Sequence, residues 1–285
     1  MKKIMFLFAA AVVLAAVGCS KDDVISNDAK YVSEIKINFE GDTRVNASHS
    51  NAGLKFAWED GDVIRVRPIS NINAVYEFAY NSESSSFVAT SANGYLKVGD
   101  EYIAEAGKAG TFAVIGDNKA KGVLVATATE EFGQNLPMVS DKFTAESKNT
   151  IATMHHIAGV VEIPVKPAEG TLSLTDIQLC NPYGSYYDGW AGTYNVDLST
   201  LVATLADGQG ETYKKLSIEG GKEISTTATS IFIPVLPMQD VNVLLQYKLA
   251  GKAYSNNVYF DDNTLTVERG KITKISEVTL VDYQY

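Results

Sequence analysis

The apolar residues of this chain recur with a period of two and almost nowhere with a period of 3.6, which restricts it to strands. From Tyr31 onward, short runs rich in Val, Ile, Thr and Tyr alternate apolar with polar positions, and Gly, Asn, Asp and Ser separate them. Val32, Ile35, Ile37 and Phe39 make the first such run. Others are read at 63–67, 75–80, 101–105, 111–115, 123–128, 159–165, 171–179, 230–235, 241–249, 254–260 and 272–280. Alternation of this kind turns one face of an extended strand to a core and the other to solvent. No segment sustains a helical apolar period over three turns, so helices are expected to be few and short. Many short strands with turn punctuation between them predict an all-β fold of sandwich type.

A chain of 285 residues suits two domains of ordinary size. The sharpest break is Lys166-Pro167-Ala168-Glu169-Gly170, where a long β run ends in Pro and Gly before a new alternating run starts. This predicts an N-terminal domain over 31–166 and a C-terminal domain over 167–285, two β-sandwiches in tandem. The charge balance, 34 acidic against 24 basic residues, excludes nucleic acid as a partner, because phosphate backbones demand a basic patch.

The first residues read as an export signal. Lys2 and Lys3 precede an apolar run from Ile4 to Val17, too short for a resident membrane helix, and Gly18-Cys19 closes it. The arrangement resembles a bacterial lipobox. The resemblance implies removal of residues 1–18, acylation of Cys19, and a polar tether over 19–30, with the membrane as a partner through the acyl anchor. Ser20-Lys21-Asp22-Asp23 resembles the lipoprotein export signal of Bacteroidetes, which implies the outer face of the outer membrane. Once Cys19 is acylated, Cys180 is the remaining thiol, so no internal disulfide and no cysteine metal site are expected. Cys180 reads as a small buried hydrophobe.

Few residues suggest chemistry. Asp60-Gly61-Asp62 is a tight-turn signal rather than a calcium loop, which needs more oxygen ligands at set spacing. His155 and His156 are adjacent in a strand and face opposite ways, so they are not expected to share a metal. No nucleophile elbow, phosphate loop or dinucleotide fingerprint occurs, and neither an enzyme nor a cofactor is expected. One aromatic segment, 180–194, carries Tyr183, Tyr186, Tyr187 and Trp190 among Gly and Pro. Exposed, these rings form a candidate binding platform for a glycan or a host protein. Packed, they cover the end of a sandwich.

Several segments together resemble the fimbrillin family of Bacteroidetes, the subunits of type V pili. They are Thr43-Arg44 after the first strand, Trp58-Glu59-Asp60-Gly61-Asp62-Val63-Ile64, His155-His156 followed by Ala158, Val160 and Val161, Ile231-Phe232-Ile233-Pro234-Val235-Leu236-Pro237, and Gly270-Lys271-Ile272-Thr273-Lys274-Ile275. The resemblance implies transthyretin-like sandwiches and a structural or adhesive role in a pilus at the cell surface. It also implies assembly with other pilus subunits: a protease cuts between Arg44 and Val45, and a strand from the next subunit fills the vacated groove. The donor read from the sequence is 277–285, with Val278, Leu280, Val281, Tyr283 and Tyr285 as pocket fillers. The alternative reading is a surface glycan-binding lipoprotein that uses the aromatic segment.

Overall fold

The computed structural model describes residues 30–39, 58–108, 110–130, 136–181, 189–255 and 258–282, and the backbone alone at 48–50, 53–55, 207 and 258–263. The chain is all β. The 3-10 turns Ile69–Asn71 and Ala92–Gly94 are the only helical elements among the described residues. Cys19, Arg44, Val45, Tyr183, Tyr186, Tyr187, Tyr283 and Tyr285 lie outside those residues.

The N-terminal part forms one sheet that closes on itself. Glu34–Phe39 lies between Ile151–His156 and Ser86–Ala89, and the sheet continues through Tyr76–Asn81, Val63–Pro68 and Glu101–Ala106. Met138–Ser140 then pairs with both Glu101–Ala106 and Ile151–His156, which shuts the barrel. The alternation explains its contents. Ile35, Ile64, Val66, Phe78, Phe87, Leu96, Met138 and Met154 turn inward and form one core. Closure leaves the two-residue strand Phe143–Thr144 as the one strand of this sheet, among the described residues, that is paired on a single side.

Residues of the opposite parity on the barrel wall build a second core. Ile103 and Val139 face outward and meet Phe112, Val114, Ala120, Tyr194, Val196 and Leu205. These belong to a four-stranded sheet, Phe112–Gly116, Lys119–Leu124, Ala191–Asp197 and Val202–Glu211. Gly122 is required there: a β-carbon on it would stand 2.3 Å from the buried Tyr194 ring. Between the two layers lies an ionic knot. Glu105, 1% exposed, accepts from Arg65 Nε at 3.0 Å, Arg67 at 2.9 Å and the Val114 backbone N–H at 2.5 Å. Arg65 also donates to the Gly107 and Phe112 carbonyls, and Arg67 to that of Ile72. The carboxylate and both guanidinium groups are thereby hydrogen-bonded, as buried charge requires.

The C-terminal part is a sandwich. One sheet runs Thr127–Ala128, Tyr213–Ile224, Leu172–Cys180, Met238–Leu249, Val258–Val267. The other has Gly159–Pro167 at its centre, flanked by Thr229–Val235 on one side and by Ile272–Lys274 and then Val278–Leu280 on the other. Their inner faces form the largest core, which includes Val161, Ile163, Ile177, Leu179, Trp190, Ile233, Leu245 and Leu280.

The break expected at 166–170 is a turn, with Gly170 at φ 63. Pairing crosses it in both directions. Gly159–Pro167, read as the strand that closes the N-terminal domain, pairs with strands that follow it. Phe112–Gly116 and Lys119–Leu124 share a sheet with Ala191–Asp197 and Val202–Glu211. Turn chemistry marks where the chain bends, whereas ladder hydrogen bonds decide which sheet a strand joins.

Candidate functional site

The N-terminal strand Glu34–Phe39 is held by a ladder on each side. Glu34–Phe39 runs parallel to Ile151–His156, with Ile151 opposite Lys36 and Met154 opposite Phe39. On its other side it is antiparallel to Ser86–Ala89, with Ile35 opposite Phe87. Further backbone bonds hold its approach: Lys36 N–H to Thr150 O at 2.9 Å, Ala89 N–H to Ser33 O at 2.8 Å and Val98 N–H to Lys30 O at 3.0 Å. Its side chains obey strict alternation. Glu34, Lys36 and Asn38 face solvent, Ile35 is 0% exposed, and Ile37 and Phe39 are partly buried against the barrel core.

Aromatic rings line the far end of the slot. Phe39 stacks on Trp58 with centroids 5.6 Å apart, and Trp58 meets Phe87 edge-on at 4.8 Å. Trp58 is placed by the turn that follows it. Gly61 takes φ 93, Asp60 accepts from the Ser82 N–H and hydroxyl at 2.6 and 2.7 Å, and Asp62 accepts from the Glu59 N–H at 2.8 Å. Both carboxylates of the Asp-Gly-Asp segment thus serve the turn. Among the described residues, no group of three or more His, Cys, Asp or Glu is placed to hold a metal.

The other chain end is also strand-bound. Val278–Leu280 is parallel to Gly159–Pro167, with Val165 opposite Val278 and Pro167 opposite Leu280. Val278 and Leu280 are buried. Tyr247 Oη accepts from the Val281 N–H at 2.7 Å and donates to the Val281 carbonyl at 3.1 Å. Lys166 pairs with Glu277, and Lys252 with Asp282 at 3.3 Å. The run read as one strand over 272–280 is two short strands, separated at 275–277.

The aromatic segment is corrected at Trp190. Its side chain is 0% exposed in the sandwich core, and its backbone N–H donates to the Glu211 carbonyl at 2.8 Å. It therefore has no surface to offer a ligand. The segment is also shorter than it reads, because Ala191–Asp197 is a strand whose Tyr194 stacks on Phe112. Gly189, Gly192 and Tyr194, which look like loop chemistry, serve close backbone approach and core packing. Burial pushes the Cys180 thiol up to about 11, away from the thiolate form a nucleophile needs.

The histidines lie at the junction of barrel and sandwich. His155 Nε2 is 3.0 Å from Asp141, while His156 is buried beside Gly270. Burial first, then Arg269 and His155, push His156 down to about 4. The fold thus holds it neutral, and the unfolded chain binds a proton from about pH 6.5 downward. Stability is expected to fall by about 3 kcal/mol between pH 6.5 and 4 on this account. Denaturant titrations at pH 7, 6, 5 and 4 check it: His156→Gln should lose that part of the pH slope, and identical slopes would refute the assignment.

Fold and site together define the class: an all-β protein whose N-terminal strand completes a closed barrel and whose C-terminal strand docks on a following sandwich. No protein-family model and no curated protein matches the sequence. Solved structures do. A "putative cell adhesion protein" from Bacteroides ovatus superposes with TM-score 0.52 at 16% identity, over 86% of this chain and 92% of its own. One from Bacteroides uniformis does so with TM-score 0.52 at 15% identity, over 88% and 94%. A fimbrial protein from Bacteroides ovatus aligns more loosely, with TM-score 0.39 at 12% identity, over 90% of this chain and 51% of its own. The first two share this fold along nearly their whole length.

Proposed function

We propose that the chain is a fimbrillin-type surface subunit, anchored through an acylated Cys19 and assembled with other subunits by exchange of strands. The observation that carries this reading is the position of Glu34–Phe39, with a ladder on each side and Ile35 fully covered. Cleavage between Arg44 and Val45 followed by loss of the segment ahead of it would open the barrel between Ile151–His156 and Ser86–Ala89. Two rows of backbone groups and an apolar slot would then lack a partner, which a strand from another subunit satisfies. The closing segment of the chain offers a match. Val281, Tyr283 and Tyr285 alternate with Asp282 and Gln284, as Ile35, Ile37 and Phe39 alternate with Lys36 and Asn38. The likeness to cell adhesion proteins supports the surface and adhesive side of the reading.

The test is treatment of the full chain with an arginine-specific protease. The expected products begin at Val45 and form denaturant-resistant ladders. Arg44→Ala and deletion of 281–285, which leaves the buried Val278–Leu280 strand in place, should both stay folded and give no denaturant-resistant ladder, and fatty-acid labelling should vanish in Cys19→Ser. Cleaved protein that forms no denaturant-resistant ladder at high concentration sinks strand exchange; undiminished labelling of Cys19→Ser sinks the anchor.

A further inference from the structure

One sheet edge opens on a stretch without the charges and prolines that occur along the other long edges among the described strands. The barrel has closed. Phe112–Gly116 is an edge, but the Val114 N–H that points off it donates to Glu105 and the Phe112 carbonyl accepts from Arg65. Thr229–Val235 contains Pro234, Val258–Val267 contains Asp261 and Asp262, and the outer stretch of Tyr213–Ile224 contains Glu219, Lys222 and Glu223. Prolines and charges of this kind discourage edge pairing. Val202–Glu211 ends the four-stranded sheet and pairs with Ala191–Asp197 alone. Its first stretch, Leu201-Val202-Ala203-Thr204-Leu205-Ala206, has no charge, proline or glycine. Val202 is 56% exposed.

The direction of its free backbone groups follows from the ladder. The Leu198 N–H donates to the Asn118 carbonyl, toward Lys119–Leu124. By alternation, Asn195 and Asp197 point the other way, toward their partners Thr204 and Val202. Ala203 and Leu205 therefore present N–H and C=O outward, two residues apart with Thr204 between them. The hairpin that sets this register is well fixed: Asp197 accepts from the Ser199 N–H at 2.9 Å and hydroxyl at 2.6 Å, and Leu201 takes φ 56.

We propose that residues 202–206 pair antiparallel with the same residues of a second copy, about a twofold axis through Thr204. In this register Ala203 of each copy exchanges both backbone hydrogen bonds with Leu205 of the other. Thr204 faces Thr204 in the close, non-hydrogen-bonded position, a favourable cross-strand pair. Val202 meets Ala206 on the outer face, so the inside-out pattern of the sheet continues unbroken across both copies. No like charges oppose each other along the joined stretch. The acidic net charge of the chain acts over longer distances and is screened within about 8 Å at physiological salt. The interface is isologous and closes at two copies. It uses neither the N-terminal slot nor the C-terminal strand, so it stands or falls separately from strand exchange.

Cysteine scanning of the full, uncleaved chain tests it. Thr204→Cys should give a disulfide-linked dimer under mild oxidation, since that pair meets the distance a disulfide demands. Val202→Cys should not, because its copies would lie about four strand residues, roughly 13 Å, apart. Wild type reports any background from Cys19 and Cys180. In sedimentation equilibrium, wild type and Arg44→Ala should both dimerise, and Thr204→Lys should be monomeric while melting as wild type does. A monomeric wild type, equal cross-linking at 202 and 204, or a dimer that survives Thr204→Lys would overturn the proposal.

Discussion

Replacing Glu105 with alanine is expected to lower the free energy of unfolding by about 3–5 kcal/mol, the usual cost of removing one partner from a buried ion cluster. Two guanidinium groups would lose their counter-charge while held against the barrel wall, and the Val114 N–H would lose its acceptor. Burial of the carboxylate side chain is complete, so solvent screening does little to soften the loss. Converting Arg65, Arg67 and Glu105 together to leucine or methionine should cost less than Glu105→Ala, because no charge is then stranded. Urea titrations decide the point. The midpoint should fall at unchanged slope, and a change under 1 kcal/mol would show that the cluster is solvated in solution. Glu105→Ala also removes the guard from the Phe112–Gly116 edge, so aggregation at high concentration should rise.

Trp190→Ala is expected to cost about 3–5 kcal/mol, as truncation of a fully buried aromatic does. The indole belongs to the sandwich core that also holds Leu179, Leu216 and Leu245. The cavity it would leave cannot collapse easily, since Gly189 and Gly192 already bring the backbone hard against 209–211. If adhesion falls in this variant, it should fall with the folded fraction and recover on cooling. Loss of adhesion with an unchanged melting temperature would return Trp190 to a binding surface.

The strands with strong alternation and β-branched content are legible in the sequence. Val63–Pro68, Glu101–Ala106, Gly159–Pro167 and Leu172–Cys180 lie within a few residues of where the pattern puts them. Lys119–Leu124, Val202–Glu211 and Tyr213–Ile224 are not legible, so the sequence does not reveal the four-stranded sheet. Their sequences, KAKGVL, VATLADGQGE and YKKLSIEGGKEI, are rich in Lys, Gly and Ala, which have little strand preference of their own. They become strands because neighbours on both sides, or one side and a core, hold them. The sequence signal for them is Tyr194 and Leu205 flanked by small residues, and it is weak.

Glu105 shows the same limit at the level of a site. On the sequence it is one acid among 34, indistinguishable from a solvated carboxylate. Arg65 and Arg67 lie about 40 residues earlier, and nothing local points them at it.

By itself, the sequence determined the period-two alternation, and with it an all-β chain, the apolar face of Ile35, Ile37 and Phe39, and the turn at Asp60-Gly61-Asp62. These depend on neighbours within a few residues. Only the tertiary structure decided that Glu34–Phe39 sits inside a closed barrel, that Gly159–Pro167 joins the strands after it, that Trp190 is core, and that 202–206 is the open edge. Each of these is a choice of partner. A strand presents the same donors and acceptors to any other strand, so partner and register are selected by the summed burial of whole faces across the molecule.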